Sequence, residues 1–179
     1  NLIASAVTRR SKARALDVTD PLQSPSFRGP APTRRAACPV LEAVAAAPYN
    51  GEADLPEIAA ALHMGVDDLF PVAETLQMLR LAEVEKGDVR LTDVGRGFAT
   101  AEVDERKEIF ARHLLCYVPL AAQVRRVLDE RARHRAPKSR FSDELEDHMS
   151  PDAAEQTLRA VISWGRYAEV FAYDDRTET

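Results

Sequence analysis

The sequence predicts a mainly helical fold, in which a winged-helix unit with a two-stranded wing precedes a helical, bundle-like C-terminal part. Apolar residues recur at three- and four-residue spacing through most of the chain after residue 35, which is typical of amphipathic helices. The clearest β-prone pair flanks Lys86-Gly87-Asp88, a sequence that suits a hairpin turn. Pro119 and Pro151 each stand where a new helix is predicted to begin, because proline is tolerated in the first turn.

The 179-residue chain divides into three parts by composition. Residues 1–35 are predicted to form a basic, Pro-rich linker or tether, residues 36–100 the winged-helix unit, and residues 101–179 a helical subdomain packed on it. Basic side chains outnumber acidic ones seven to two in the first part, so it carries about +5 while the remainder carries about −10. An arm that binds nucleic acid or a membrane surface is the alternative interpretation of residues 1–35.

The winged-helix unit is predicted from apolar spacing, turn residues and caps. An Ala-rich first helix precedes a helix-turn-helix, whose second helix is expected to be capped by Asp67 or Asp68. Gly87 supplies the positive φ that the hairpin requires, and Thr92 caps the exit helix. The predicted elements are helix 37–47, helix 55–62, turn 63–66, a helix that runs to 79, strands 81–85 and 89–91, and a helix after Thr92.

The C-terminal part is predicted to contain four helices and a short final strand. Ser150 and Pro151 give the last helix an N-cap and a first-turn proline. The predicted elements are helix 104–115, a helix from Pro119, helix 141–148, a helix from Pro151 that ends at 164–167, and a strand at 170–173.

The bulk composition restricts the function classes. A net charge of −5 and a pI of about 5.4 disfavour a protein that coats nucleic acid, because phosphate neutralisation supplies most of that affinity. Cys38 and Cys116 share no motif spacing, which indicates two free thiols in a reducing compartment. The sequence has no apolar run of the roughly 18 residues that span a bilayer, and no signal-peptide pattern. We therefore expect a cytoplasmic protein without membrane insertion.

Winged helices often bind DNA, and the charge of the unit tests this alternative. Between Glu52 and Asp93 there are ten acidic side chains and three basic ones, a net charge of about −7. Phosphate repulsion then opposes docking in the major groove. We expect protein–protein contact through this scaffold, and a DNA-binding transcriptional regulator is the alternative.

The sequence contains no pattern that indicates catalysis or cofactor binding. Its seven glycines form no phosphate-binding loop, and Gly95-Arg96-Gly97 stands at a predicted helix start, where helix packing or a tight turn explains it better. His113 and Cys116 lie three residues apart and are the weak metal candidates, but two ligands do not complete a zinc site. We therefore predict a non-catalytic chain that holds no cofactor.

Two clusters are candidate contact or ligand surfaces. Four aromatic residues gather around Arg166, either as a lock that packs the C-terminal tail onto the body or as a pocket in which Arg166 binds an anion. The second interpretation gives a further alternative function, a small-anion or nucleotide sensor. The acidic run at 143–147 is either a solvated face or a docking surface for a basic partner. The candidate surface residues are Arg166, Trp164, Tyr167, Glu144, Asp147, His134 and Arg135.

Seven ordered motifs are distributed between residues 40 and 175. They are VDDL at 66–69, LTDVGR at 91–96, FARHLL at 110–115, VPLAA at 118–122, HRAP at 134–137, ELED at 144–147 and WGRYAE at 164–169. In these motifs the chain resembles the AAA-associated C-terminal domain, which follows the ATPase domain in some ATP-binding subunits of nitrate/sulfonate/bicarbonate-type ABC transporters. SPSF at 24–27 is similar to the segment that joins the two domains, although its surroundings depart from that pattern.

The resemblance implies a regulatory or assembly module attached to the ATPase subunit of a bacterial ABC importer. The implied partners are the ATPase domain and its permease complex, and self-association is a further hypothesis. The implied location is the cytoplasm, peripheral to the inner membrane through the transporter complex. The resemblance implies no ATPase activity for this chain, and it supplies no catalytic residues to carry over.

Overall fold

The computed structural model describes residues 34–179, within which eight helices and three strands are present. The prediction of a mainly helical fold is confirmed. The predicted linker at 1–35 lies outside the described residues, except that its last two residues begin the first helix. The first seven elements are α1 (Arg34–Ala45), β1 (Glu52–Asp54), α2 (Leu55–Ala61), α3 (Val66–Met78), β2 (Ala82–Glu85), β3 (Asp88–Leu91) and α4 (Asp93–Thr100). Four helices follow, which are α5 (Val103–Tyr117), α6 (Pro119–Asp129), α7 (Ser139–Glu146) and α8 (Pro151–Tyr167).

The three strands form one antiparallel sheet in the order β1-β3-β2. The hairpin of β2 and β3 is confirmed, with Lys86 and Gly87 both at positive φ in its two-residue turn. β1 was not predicted. It pairs with the free edge of β3 and so adds a third strand to the predicted two-stranded wing. Arg90 of β3 donates two hydrogen bonds to the Glu52 carboxylate of β1, at 2.7 and 3.1 Å.

The helix ends show which local signals decide the structure. The Thr92 hydroxyl accepts from the Gly95 N–H at 3.0 Å and the Ser150 hydroxyl from the Ala153 N–H at 3.4 Å, so both predicted caps are confirmed. The cap predicted for α3 is wrong. The N-cap is Gly65, and Asp67 and Asp68 occupy the first turn instead, where the helix dipole favours acidic side chains.

The predicted final strand at 170–173 is wrong as well, since no strand follows α8 in the described chain. Val170 is buried and Phe171 half-buried, so this segment packs against the helices rather than pairing with a sheet. Its backbone finds a side-chain partner, because Arg125 of α6 donates a 2.7 Å hydrogen bond to the Val170 carbonyl.

One hydrophobic core runs through the described chain, from Val40 in α1 to Val170 after α8. It therefore includes residues from both parts into which the sequence was divided, 36–100 and 101–179. Among residues 34–179, no helix combines the length and apolar character that crossing a bilayer demands.

Arg106 of α5 joins the two parts at their boundary. Its guanidinium donates to the carbonyls of Ala99 and Ala101 at 2.9 and 2.7 Å, which completes the carbonyl end of α4. The same group pairs with the Glu42 carboxylate of α1 at 2.5 Å and lies over the Phe98 ring. Because one planar group serves three acceptors, an ammonium cannot replace it.

Replacing Arg106 by lysine is therefore expected to lower the free energy of unfolding by about 1.5–3 kcal/mol, the range for hydrogen bonds to a charged group. Chemical denaturation at neutral pH measures this loss. Arg112→Lys, at an exposed position of the same helix, is the control and is expected to change stability by less than about 0.5 kcal/mol. Equal unfolding midpoints for both variants would contradict a stabilising role for Arg106.

Candidate functional site

The outer face of α3 is an unpartnered acidic surface in the described chain. Asp67, Phe70, Glu74 and Gln77 are all exposed and fall at three- and four-residue spacing, so they share one face. Phe70 is 47% exposed, although the inner face of the same helix is fully packed. We call these four residues the α3 face. An exposed aromatic ring beside carboxylates suits contact with a basic protein better than contact with phosphates.

A second feature is an open groove of about 870 Å³ along α8. Its lining carries six charged side chains, which are Lys138, Glu155, Arg159, Arg166, Asp175 and Glu178. Lys138 lies just before α7, and the next three residues of this list lie on α8. Asp175 and Glu178 belong to the C-terminal tail. We call this feature the α8 groove.

Glu155 organises one end of the α8 groove. Its carboxylate accepts hydrogen bonds from Lys138 at 2.6–2.7 Å and from Arg159 at 3.1 Å. The hydrogen bond from Lys138 is the main cause that holds the pKa of Glu155 below its usual range. The carboxylate therefore remains charged at neutral pH and neutralises part of the positive charge at this end.

The tail contacts both ends of the α8 groove. Asp175 lies 3.7 Å from the Arg166 guanidinium, and the Lys138 N–H donates to the Glu178 carbonyl at 2.8 Å. Asp174 and Thr179 exchange two backbone hydrogen bonds, which closes the tail into a turn. Phe171, at the start of the tail, packs against Gly165 of α8. The contact is so close that a Cβ at position 165 would lie 2.2 Å from the Phe171 ring.

The aromatic cluster predicted around Arg166 is divided by the structure. Trp164 is 2% exposed and meets Phe110 of α5 edge-on, with ring centroids 6.4 Å apart. Its burial agrees with the packing interpretation rather than with a contact surface. Tyr167 is half-buried, meets Phe110 at 5.3 Å and also lines the α8 groove. Arg166 is exposed there, so these two residues keep access to a ligand.

The remaining candidate residues lie elsewhere. His134 and Arg135 line a separate groove of about 430 Å³ beside the tail, and the His134 Nδ1 lies 3.1 Å from the Leu128 carbonyl. Glu144 accepts a 2.7 Å hydrogen bond from Gln123, which ties α7 to α6. Asp147 is exposed at the end of α7. The seven predicted residues therefore do not form one site.

His113 and Cys116, the weak metal candidates, lie in different surroundings. The Nδ1 of His113 lies 2.7 Å from the Leu79 carbonyl and therefore carries the proton of that hydrogen bond, while the ring packs beside Tyr117. Cys116 is exposed. Across the described part of the chain, no group of three or more His, Cys, Asp or Glu side chains is placed to hold a metal ion.

Five of the six charged residues of the α8 groove were not predicted from the sequence, namely Lys138, Glu155, Arg159, Asp175 and Glu178. One signal was available, since Arg159 and Arg166 are seven residues apart and so lie on one face of a helix. Lys138 carries no such signal, because its place depends on how the segment before α7 packs against α8.

Comparison with known proteins identifies the family. The family model described as the C-terminal AAA-associated domain matches residues 56–174, from the first turn of α2 to the start of the tail turn. Neither the comparison with curated proteins nor that with solved structures gave a match. The family match covers well over half of the chain and includes both the α3 face and most of the α8 groove. This chain therefore belongs to the C-terminal AAA-associated domain family.

Proposed function

We propose that this chain is a non-catalytic regulatory or assembly module of an ATPase subunit, of the nitrate/sulfonate/bicarbonate ABC importer type. The family description supports association with an ATPase domain, and the motif resemblance supports the importer type. The observation that carries the proposal is the α3 face, which presents Phe70 among acidic side chains with no partner inside the described chain.

The first half of the chain is proposed to be a winged helix used for protein contact. The element order α1-β1-α2-α3-β2-β3-α4 and the sheet order β1-β3-β2 support this assignment. In such a unit α3 occupies the position of the DNA-recognition helix. Its outer face carries carboxylates where phosphate contacts need Lys or Arg, so a basic protein surface is the partner that its charge favours.

Hydrolysis of ATP is assigned to the neighbouring ATPase domain rather than to this chain. None of the seven glycines stands in a phosphate-loop pattern, and we assign no cofactor or catalytic residue here. The module acts in the cytoplasm, where the ATPase domain and permease complex hold it at the inner membrane. We also propose that two copies of the module can associate through protein–protein contact.

The experiment uses the full-length ATPase subunit with its permease. Deleting residues 36–179 is expected to change the rate of ATP hydrolysis, its response to transported solute, or the recovery of the intact complex. The paired substitution Phe70→Ala with Glu74→Lys is expected to reproduce that change, because it removes the apolar centre and reverses a charge of the α3 face.

The matched control is Val103→Ala with Glu130→Lys, which makes the same kinds of change at exposed positions away from that face. It is expected to behave as the wild type. Unchanged hydrolysis and assembly after the deletion would refute the proposed function. Nanomolar, sequence-dependent binding of the chain to DNA duplexes would favour the transcriptional alternative instead.

A further inference from the structure

We propose that the α8 groove binds an organic oxyanion, and that the acidic side chains of the chain's own tail compete with this ligand. The ligand class is a molecule that carries two or more phosphate or carboxylate charges on a body small enough for the groove. This inference goes beyond the proposed function, because it does not depend on contact with an ATPase domain.

The first support is the convergence of three cations. Arg159 and Arg166 are two helical turns apart on α8, so both project from one face, and Lys138 reaches the same groove from the segment before α7. Arginine side chains present a planar fork that matches phosphate and carboxylate oxygens. Two such forks on one face can therefore hold two anionic groups of a single ligand.

The second support is the source of the negative charge. The groove has three basic and three acidic side chains in its lining, so its formal charge is zero. Two of the three acids, Asp175 and Glu178, come from the tail. Without these two the lining carries +2. The tail therefore supplies the counter-charge that an incoming oxyanion would otherwise supply.

The third support is that the ion pair at the Glu155 end of the groove is stronger than the ion pair at the Arg166 end. Lys138 and Glu155 approach to 2.6 Å, the distance of a charge-assisted hydrogen bond. Arg166 and Asp175 are 3.7 Å apart, and the Arg166 side chain is 53% exposed. Such a long, hydrated ion pair contributes little to stability, so a ligand oxygen can replace the Asp175 carboxylate at Arg166 at low cost.

The shape of the groove fits a small organic ligand. Its volume of about 870 Å³ lies within the range of ligand pockets. Ile162, Tyr167 and Tyr173 add apolar and aromatic surface to the lining. A body with a ring or an alkyl chain can pack there while the arginines hold its charged groups.

The test is isothermal titration calorimetry on the full chain at two salt concentrations, with pyrophosphate, ATP and citrate as probes. Neutralising the tail by Asp175→Asn with Glu178→Gln is expected to tighten binding about fivefold to tenfold, because two repelling charges are removed. The change Arg159→Gln with Arg166→Gln is expected to abolish saturable binding. Binding of the phosphate probes or of citrate then distinguishes a phosphorylated ligand from a carboxylate.

Matched controls make the same charge changes elsewhere on the surface. Asp143→Asn with Glu146→Gln and Arg126→Gln with Arg133→Gln alter exposed side chains outside the α8 groove and are expected to leave binding unchanged. The proposal is overturned if the tail-neutralised variant melts like the wild type yet binds none of the probes. It is also overturned if the control pairs change binding as much as the groove pairs do.

Discussion

Replacing Trp164 by alanine is expected to lower the free energy of unfolding by about 3–5 kcal/mol, the usual cost of removing a buried large aromatic side chain. The ring is 2% exposed in α8 and packs edge-on against Phe110 of α5. Its removal leaves a cavity at the junction of these helices, which the surrounding side chains fill only in part. Urea denaturation followed by circular dichroism measures the loss.

Two further variants separate a core role from a contact role. Trp164→Phe keeps an aromatic ring in the core and is expected to recover part of the stability lost in Trp164→Ala. Phe70→Ala, on the exposed α3 face, is expected to change stability by less than about 0.5 kcal/mol. If Trp164→Ala unfolds like Phe70→Ala, Trp164 is not a core residue and the contact interpretation of the aromatic cluster regains support.

Two helix caps and the hairpin turn, which depend on local signals, were predicted correctly from the sequence. The Thr92 and Ser150 caps depend on an N–H three residues away, and the hairpin turn depends on two adjacent residues. β1 was not predicted because it has only three residues and pairs with a distant strand, in which Arg90 lies opposite Glu52. For α3, Gly65 and the following aspartates are all acceptable N-caps, so residue preference alone could not choose between them.

The candidate site was harder to predict, since its parts meet only after folding. Trp164 and Arg166 are two residues apart, yet the turn of a helix directs one into the core and the other into the α8 groove. The aromatic cluster predicted from sequence proximity therefore combined a core residue, Trp164, with a groove residue, Arg166. The tail acids lie on no regular element, so the approach of Asp175 to Arg166 follows from the packing of Phe171 against Gly165.

Close packing against a glycine also explains the second large loss of stability that we expect. Replacing Gly95 by alanine is expected to lower the free energy of unfolding by about 3 kcal/mol, at the upper end for overpacking a core. A Cβ at this position would lie 1.9 Å from the Leu81 carbonyl oxygen, a backbone atom that cannot rotate away. That carbonyl also accepts hydrogen bonds from the N–H and the hydroxyl of Thr92. To relieve the clash, α4 must move away from the Leu81 carbonyl. This movement weakens the hydrogen bonds of Thr92, the N-cap of α4.

Gly97, two residues further along the same helix, provides the matched control. It is exposed, and a Cβ there would meet no atom within 4 Å. Gly97→Ala is therefore expected to raise the free energy of unfolding by about 0.5–1 kcal/mol, because alanine loses less conformational entropy in a helix than glycine does. Thermal and urea unfolding of the two variants should shift in opposite directions. A shift of the same sign and size would mean that helix propensity, and not contact with the Leu81 carbonyl, determines the requirement at Gly95.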